Sequence, residues 1–299
     1  MSDSIASLRR KLGSAADLQA VVRTMKALAA SNIGQYEQSV LALADYYRTV
    51  ELGLGVCFRG AGRAAGIGDD VRAADARAVG LVVFGSDQGL VGQFNEIVVE
   101  HALASVAKLT GKPVVWAVGE RIHARLTDAG LPPAGLFGVP NSVNAITPLV
   151  WQILLENGQS AGQQHATELH LCYNRPLTGS GFAPVTQRLL PLDEKWRRQL
   201  AAQLWPSGNL PEVIGNGTDT LRALIREYLF VSIFRACAES LASENASRLA
   251  AMQRADRNID ELLERLNGSF HRLRQNGIDE ELFDVVSGFE ALTGPRRQP

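Results

Sequence analysis

Apolar positions along the N-terminal segment recur at steps of three and four. The series is Leu18, Val22, Met25, Ala29, Asn32, Tyr36, Val40, Leu43, Tyr47, Val50 and Leu54, and from Val40 onward threes and fours alternate. Such spacing holds one stripe on one face of a helix and predicts a coiled-coil seam. Consecutive fours around Tyr36 predict a slight local unwinding. Gly13 and Gly34 each weaken the helix by about 1 kcal/mol relative to alanine.

The C-terminal segment carries a similar stripe. Thr218 or Asp219 is placed to cap a helix that starts near Leu221. Leu221, Leu224, Ile225, Tyr228, Leu229 and Phe234 open its apolar face, and Ile259, Leu262, Leu263, Leu266, Phe270 and Leu273 continue it. Leu282, Phe283, Val285, Val286, Phe289 and Leu292 finish it. Unbroken, this helix would be about 110 Å long, more than a compact domain needs. Gly277, before Ile278 and Asp279, is where a bend is expected.

Between these ends the pattern changes. VGLVVF (Val79 to Phe84) and PVVWAV (Pro113 to Val118) are compact apolar runs of buried-strand type. Helices are expected from about Gln93 to Lys108, from Glu120 to Ala129, and from Pro148 to Leu155. A weaker strand is expected at Gly135 to Val139. TELHLCYN (Thr167 to Asn174) and PVTQRLLPL (Pro184 to Leu192) alternate as strands do. Strands alternating with helices predict an open α/β, Rossmann-like sheet.

Proline placement supports this division. All twelve prolines lie between Pro113 and Pro211 or at the tail, as Pro295 and Pro299. Proline inside a helix costs about 3 kcal/mol, so the proline-free ends suit long helices. The stretch from Gly53 to Ala78 is rich in Gly, Ala and Arg and reads as a linker. The expected organisation is a long helix over 1–57, a linker over 58–77, a central α/β domain over 78–212, a second long helix over 218–292, and a tail over 293–299. The fold class is therefore α/β, with the terminal helices paired antiparallel as a coiled coil.

Composition narrows the function classes. With 46% hydrophobic and 20% charged residues, the 299-residue chain is ordinary for a globular protein. A net charge of −1 predicts no nucleic-acid partner and no membrane-surface partner. Charges interrupt the N-terminus where a secretory signal needs an apolar core, and no run is long enough to span a bilayer. Cys57, Cys172 and Cys237 are far apart and form no metal or redox motif.

The chemically suggestive stretch is VVFGSDQGLVGQFN, from Val82 to Asn95. A glycine-rich turn between strand and helix often cradles phosphate. A P-loop needs a lysine and a hydroxyl after its last glycine, and the dinucleotide fingerprint needs G-x-G-x-x-G. Here the spacing is G-x-x-x-G-x-x-G with no lysine, which favours a turn that needs small residues. His101, His123, His165, His170 and His271 are scattered, with no H-E-x-x-H. No G-x-S-x-G elbow is present, and Asp69-Asp70 sits in the linker, a poor setting for acid–base work. Arg9, Arg10, Lys11, Arg23 and Lys26 cluster on the first helix, as a solvated face or a contact for an acidic surface. No catalytic, cofactor or metal site is expected.

Three stretches together resemble the gamma subunit of F-type ATP synthase. LRRKLGSAADLQAVVRTMKALAAS is similar to that family's opening helix. GSDQGLVGQFN is similar to its signature loop, usually written SD-x-GLCG-x-x-N. SENASRLAAMQRADRNIDELLERLNGSFHRLRQNGIDEELFDVVSGFEAL is similar to its closing helix. Val91 stands where the family commonly has cysteine, Asp279 where threonine is usual, and Phe289 where a small residue is usual. NIGQYEQ after Ser31 lacks the basic residues many members carry there. These departures point toward a divergent second type of bacterial F-type ATPase, sometimes sodium-linked.

The resemblance implies a rotor shaft with no active site of its own. Nucleotides would sit on beta subunits, in a ring of three alpha and three beta, and the asymmetric shaft would bias each in turn. Implied partners are alpha, beta, epsilon and the membrane rotor ring, at the cytoplasmic face of a bacterial inner membrane, without insertion. By resemblance Met25 and Lys26 face the lever loop of beta, and Arg248, Arg274 and Gln275 engage beta or alpha. Leu282, Phe283, Val286 and Phe289 would sit in the ring's apolar sleeve. Gly85, Asp87, Gly89 and Gly92 would shape the base beside epsilon and the rotor ring. On the residues alone, a coiled-coil adaptor or rotor paralogue and a flavodoxin-like small-molecule binder also remain open.

Overall fold

The computed structural model describes residues 4–60, 79–109, 111, 113–159, 168–177, 181–209 and 211–293. Six helices and five strands occur in the order α1 (Ile5–Gly60), β1 (Val79–Phe84), α2 (Phe94–Val106), β2 (Pro113–Val118), α3 (Glu120–Asp128), β3 (Gly135–Phe137), α4 (Ile146–Gln159), β4 (Glu168–Pro176), β5 (Phe182–Leu190), α5 (Glu194–Ala202) and α6 (Gly217–Thr293). A short 3-10 turn, Val143–Ala145, leads into α4. The α/β class and the long terminal helices expected from the sequence are both present.

The sheet has the strand order β3-β2-β1-β4-β5. β1, β2, β3 and β4 run parallel, and β5 pairs antiparallel with β4. Alternation along β1 divides the core. Val82 and Phe84 join Ile146, Val150, Ile153, Ile233 and Leu241 on one face. Leu81 and Val83 join Val98, Ala102, Ile122 and Leu126 on the other. A side chain of this kind contributes roughly 1.5–3 kcal/mol when fully buried.

Compactness divides the chain into two units: residues 1–28 with 250–299, and residues 29–249. Within each, α1 and α6 run antiparallel. In the first unit Lys26 reaches Asp256, while Arg9, further back on α1, lies over Phe270, further on in α6. In the second Asn32 meets Asn245, and Tyr46 meets Glu227.

The seam along α1 is more regular than the sequence suggested. Leu8, Ala15, Val22, Ala29, Tyr36, Val50 and Cys57 are buried at seven-residue intervals, with half-buried Leu43 completing the series. The second seam position falls on Leu12, Gln19, Lys26, Ile33, Val40, Tyr47 and Leu54. Leu18, expected in the seam, is instead 55% exposed, and Gln19 is buried in its place. Apolar counting missed this because the seam here accepts polar residues that find partners on the opposite helix.

The end of α1 also differs from the expected linker. The helix runs through Gly53 and Gly55 to Gly60. Gly55 is there because α5 comes close: an added Cβ would lie 2.5 Å from the Leu200 carbonyl oxygen. Leu54 and Cys57 pack with Leu200, Leu221 and Tyr228 in a separate small core. Residues 61–77 of the expected linker, Asp69-Asp70 and His165 lie outside the described residues. Across Gly277, where a bend is expected, α6 continues as one helix to Thr293. Helix α5 was not anticipated; Asp193 caps it by accepting from Lys195 N.

Candidate functional site

The glycine loop joins β1 to α2, and its geometry accounts for Gly85 and Gly92. Gly85 N donates to the Val118 carbonyl at 2.9 Å. A Cβ at Gly85 would fall 2.2 Å from Ile122 Cβ and 2.8 Å from Asn95 Oδ1. Gly92 has φ 59° and Leu90 φ 63°, both left-handed. Glycine adopts that region freely and leucine does not. Gly89 has open space around its missing Cβ.

Asp87 is occupied within the fold. Its Oδ1 accepts from Glu120 N at 3.0 Å and its Oδ2 from Val139 N at 3.1 Å. One carboxylate thus caps α3, where the helix dipole favours an anion, and holds the segment after β3. Asn95 closes the loop from behind. Its Oδ1 accepts from Ser86 N at 3.1 Å, and its Nδ2 donates to Ser86 Oγ at 2.8 Å. Ser247 on α6 donates its hydroxyl to the Val91 carbonyl.

The polar residues predicted on the helices divide into two groups. Lys26 Nζ lies 2.9 Å from Asp256 Oδ2, and Arg23 Nε 3.2 Å from Asp256 Oδ1. Gln19 donates to both Asp256 and Asp260. Met25 packs half-buried against Val22, Met252 and Ile259. Arg248 donates to Glu244 Oε1 at 2.6 Å and is 14% exposed. Arg274 and Gln275, by contrast, are exposed. So are Leu282, Phe283, Val286 and Phe289, at 61%, 74%, 46% and 66%. Every described side chain from Ile278 to Phe289 is exposed.

The ATP synthase family model matches residues 4–292. An ATP synthase gamma chain from Syntrophus aciditrophicus is 30% identical over 236 residues, which covers 74% of this chain and 75% of that one. The chain belongs to the ATP synthase gamma-chain family. An ATP synthase gamma chain from Nostoc punctiforme is 27% identical over 325 residues, covering 97% of this chain and 99% of the relative. Among solved structures, the rotor of the Euglena gracilis mitochondrial ATP synthase matches with TM-score 0.61 at 16% identity, over 92% of this chain and 98% of that one. The central stalk and c-ring of the Tetrahymena thermophila mitochondrial ATP synthase matches with TM-score 0.53 at 18% identity, over 79% and 99%. These structural likenesses concern the fold.

Against the family pattern, the Val91 departure is an interior change: its side chain is 2% exposed. The charged cluster around Asp256 is a surface feature with a pH signature. The hydrogen bond from Lys26 holds the Asp256 carboxyl below its ordinary value; desolvation opposes it, and Arg23 adds to it. A folded pKa below the unfolded one gives stability that is complete above the unfolded value, about 4. It is lost as pH falls through the folded value. Asp256→Asn is therefore expected to flatten the acid limb of a melting-temperature profile below about pH 4, with an effect that shrinks in high salt. An acid limb identical to that of the wild type would contradict it.

Sequence reasoning overlooked the buried polar network of the sheet. Tyr173 and Arg175 on β4 converge on Glu239 of α6. Burial pushes the Tyr173 hydroxyl up to about 12. Its trace in the sequence is the Arg235–Glu239 pair, four residues apart inside an otherwise apolar run. His170, placed in a strand from the sequence, is buried on β4 and pairs with Glu168 at 2.8 Å. Among the described residues, no helix is long and apolar enough to cross a membrane.

Proposed function

We propose that this chain is the gamma subunit of a rotary ATP synthase, the shaft that couples ion flow in a membrane rotor to nucleotide chemistry on neighbouring subunits. The observation that carries it is a family match running from residue 4 to residue 292, through both terminal helices and the sheet between them. A shaft with unequal faces presents different contacts to each of three beta subunits, and each contact biases a different conformation. The chain supplies no active site in this scheme. It acts by position.

The exposed apolar end of α6 supports a bearing role. Leu282, Phe283, Val286 and Phe289 would lie in an apolar sleeve of the alpha–beta ring, where few directional bonds oppose turning. Arg274 and Gln275, one turn or more before that end, would meet beta or alpha. Met25 and Lys26 would lie near the lever loop of beta, with Lys26 held by Asp256. The glycine loop would shape the base near epsilon and the rotor ring, through the backbone that Gly85, Asp87 and Gly92 set. The complex would be peripheral, on the cytoplasmic face of a bacterial inner membrane.

Co-expression with the alpha and beta subunits from the same genome tests this. The expected product is a complex with one copy of this chain per three alpha and three beta, in which a probe on the sheet domain rotates during ATP hydrolysis. A chain that stays monodisperse beside them overturns the proposal.

A further inference from the structure

We propose that Glu239 is a positioning residue for torque transfer, fastening the sheet to α6 at a fixed angle about the helix axis. This rests on the gamma-subunit function proposed above. Glu239 lies on α6 with its side chain 8% exposed. Its Oε2 accepts from Tyr173 Oη at 3.0 Å and from Arg175 Nε at 3.1 Å. Its Oε1 accepts from Arg235 Nε at 2.7 Å. Arg175 also donates from Nη2 to Tyr173 Oη at 2.6 Å, and its guanidinium sits 5.5 Å from the centre of the Tyr173 ring. Both β4 side chains are thereby aimed at one carboxylate.

The apolar contacts around this point hold the helix by shape, without a preferred bonding direction. Ile233, Ala236, Cys237 and Leu241 pack in the same core, but apolar attraction is non-directional. Charge-assisted hydrogen bonds weaken steeply when misaligned. Three donors on one carboxylate, two of them from the sheet, therefore add a directional restraint on turning to that of the packed core. A charge network with its carboxylate buried and Arg175 and Arg235 about half exposed is also not the cheaper way to hold two elements together, since apolar residues of similar volume are often as stabilising or more.

A second fastening lies further along α6. Ser247 holds the glycine loop through the Val91 carbonyl. Beside it Arg248 bonds Glu244, whose side chain is 6% exposed and whose Oε2 is buried without a hydrogen bond. Burial pushes the Glu244 carboxyl above its ordinary range; Arg248 opposes that, and Asp87 adds to it. Tyr36 of α1 feels the same carboxylate. Arg248 is thus engaged by its own helix through Nη2. Together the two points tie strand and loop to the same helix.

The test uses the complete ATP synthase carrying this chain, reconstituted in vesicles. ATP hydrolysis and ATP-driven ion uptake are measured on the same vesicles, with a pH dye for protons and a tracer for sodium. Glu239→Ala is expected to assemble and hydrolyse ATP at near wild-type rate, while ions moved per ATP fall roughly twofold or more. Glu239→Gln keeps an acceptor for Tyr173 and Arg175 and is expected to restore most of the loss. An unchanged ratio in Glu239→Ala overturns the proposal, and so does a Gln variant no better than Ala. If Glu239→Ala does not assemble, Tyr173→Phe and Arg175→Met replace it, and an unchanged ratio in both is equally decisive against it. Failure of the wild-type chain to enter the complex is a separate result, visible before any variant is compared, and it removes the gamma-subunit function as well.

Discussion

Gly85→Ala is expected to destabilise the chain by about 1–3 kcal/mol or more. The new methyl carbon would lie 2.2 Å from Ile122 Cβ, 2.7 Å from Ile122 Cγ2 and 2.8 Å from Asn95 Oδ1. Neither neighbour can yield easily. Ile122 is completely buried between α3 and the sheet, and Asn95 is held by two hydrogen bonds to Ser86. Any shift must move α3 or break the Ser86–Asn95 pair, which leaves a buried donor unsatisfied at a further cost of roughly 1–3 kcal/mol. Urea unfolding of the purified chain measures this as a lowered midpoint at constant slope. Gly89→Ala in the same loop is the control. Nothing lies within 4 Å of the place its new methyl would take, so its change should stay within about 0.5 kcal/mol. Equal effects at the two glycines would refute the steric argument.

Phe94→Ala is expected to cost more, about 3–5 kcal/mol. Phe94 opens α2 directly after the loop and is completely buried. Its ring meets Phe182 of β5 edge-on, with centroids 5.5 Å apart. Asn174 of β4 donates to its backbone carbonyl at 2.9 Å. Truncation removes the aromatic pair and leaves a cavity between α2 and the antiparallel edge of the sheet. Phe94→Leu should recover a large part of the loss by refilling that space. The same urea experiment decides it, and a midpoint within error of the wild type would show that the site collapses without cost. The two substitutions lie too close to be additive, because residue 85 and α2 both depend on Asn95.

Much of this architecture was legible because it follows from periodicity. Strands β1, β2 and β4 are apolar enough to be buried on both faces, and their limits agree with the apolar runs to within a residue or two. The helix pair was legible from steps of three and four. Its register between Leu18 and Asn32 was not. There the seam takes Gln19 and Lys26, and a polar residue counts as exposed until its partner is known. Asp256 and Asp260 are those partners, more than two hundred residues away in the chain. The glycines of 53–60 misled for a related reason. Composition gave them the character of a linker, and only the close approach of Leu200 explains a glycine inside that helix.

The candidate site was legible in kind and less so in detail. Motif spacing ruled against a P-loop, and the structure gives Asp87 a place inside the fold, bonded to Glu120 N of α3 and to Val139 N. Arg248 looked from its position in the family pattern like a surface contact. Packing makes it the partner of a buried carboxylate.

By itself, then, the sequence determined the alternation of strands and helices, the two long amphipathic ends, and the likeness to a rotor family. All of these rest on local spacing, which a linear chain displays. The tertiary structure alone decided which polar groups pair and with what: Asp87 with Glu120 and Val139, buried Glu239 with Tyr173 and Arg175, Lys26 with Asp256. A buried polar group persists where its partner arrives from elsewhere in the chain. Distant partners leave no periodic mark on either segment, so these joints between helix, strand and loop become visible only once the chain is folded.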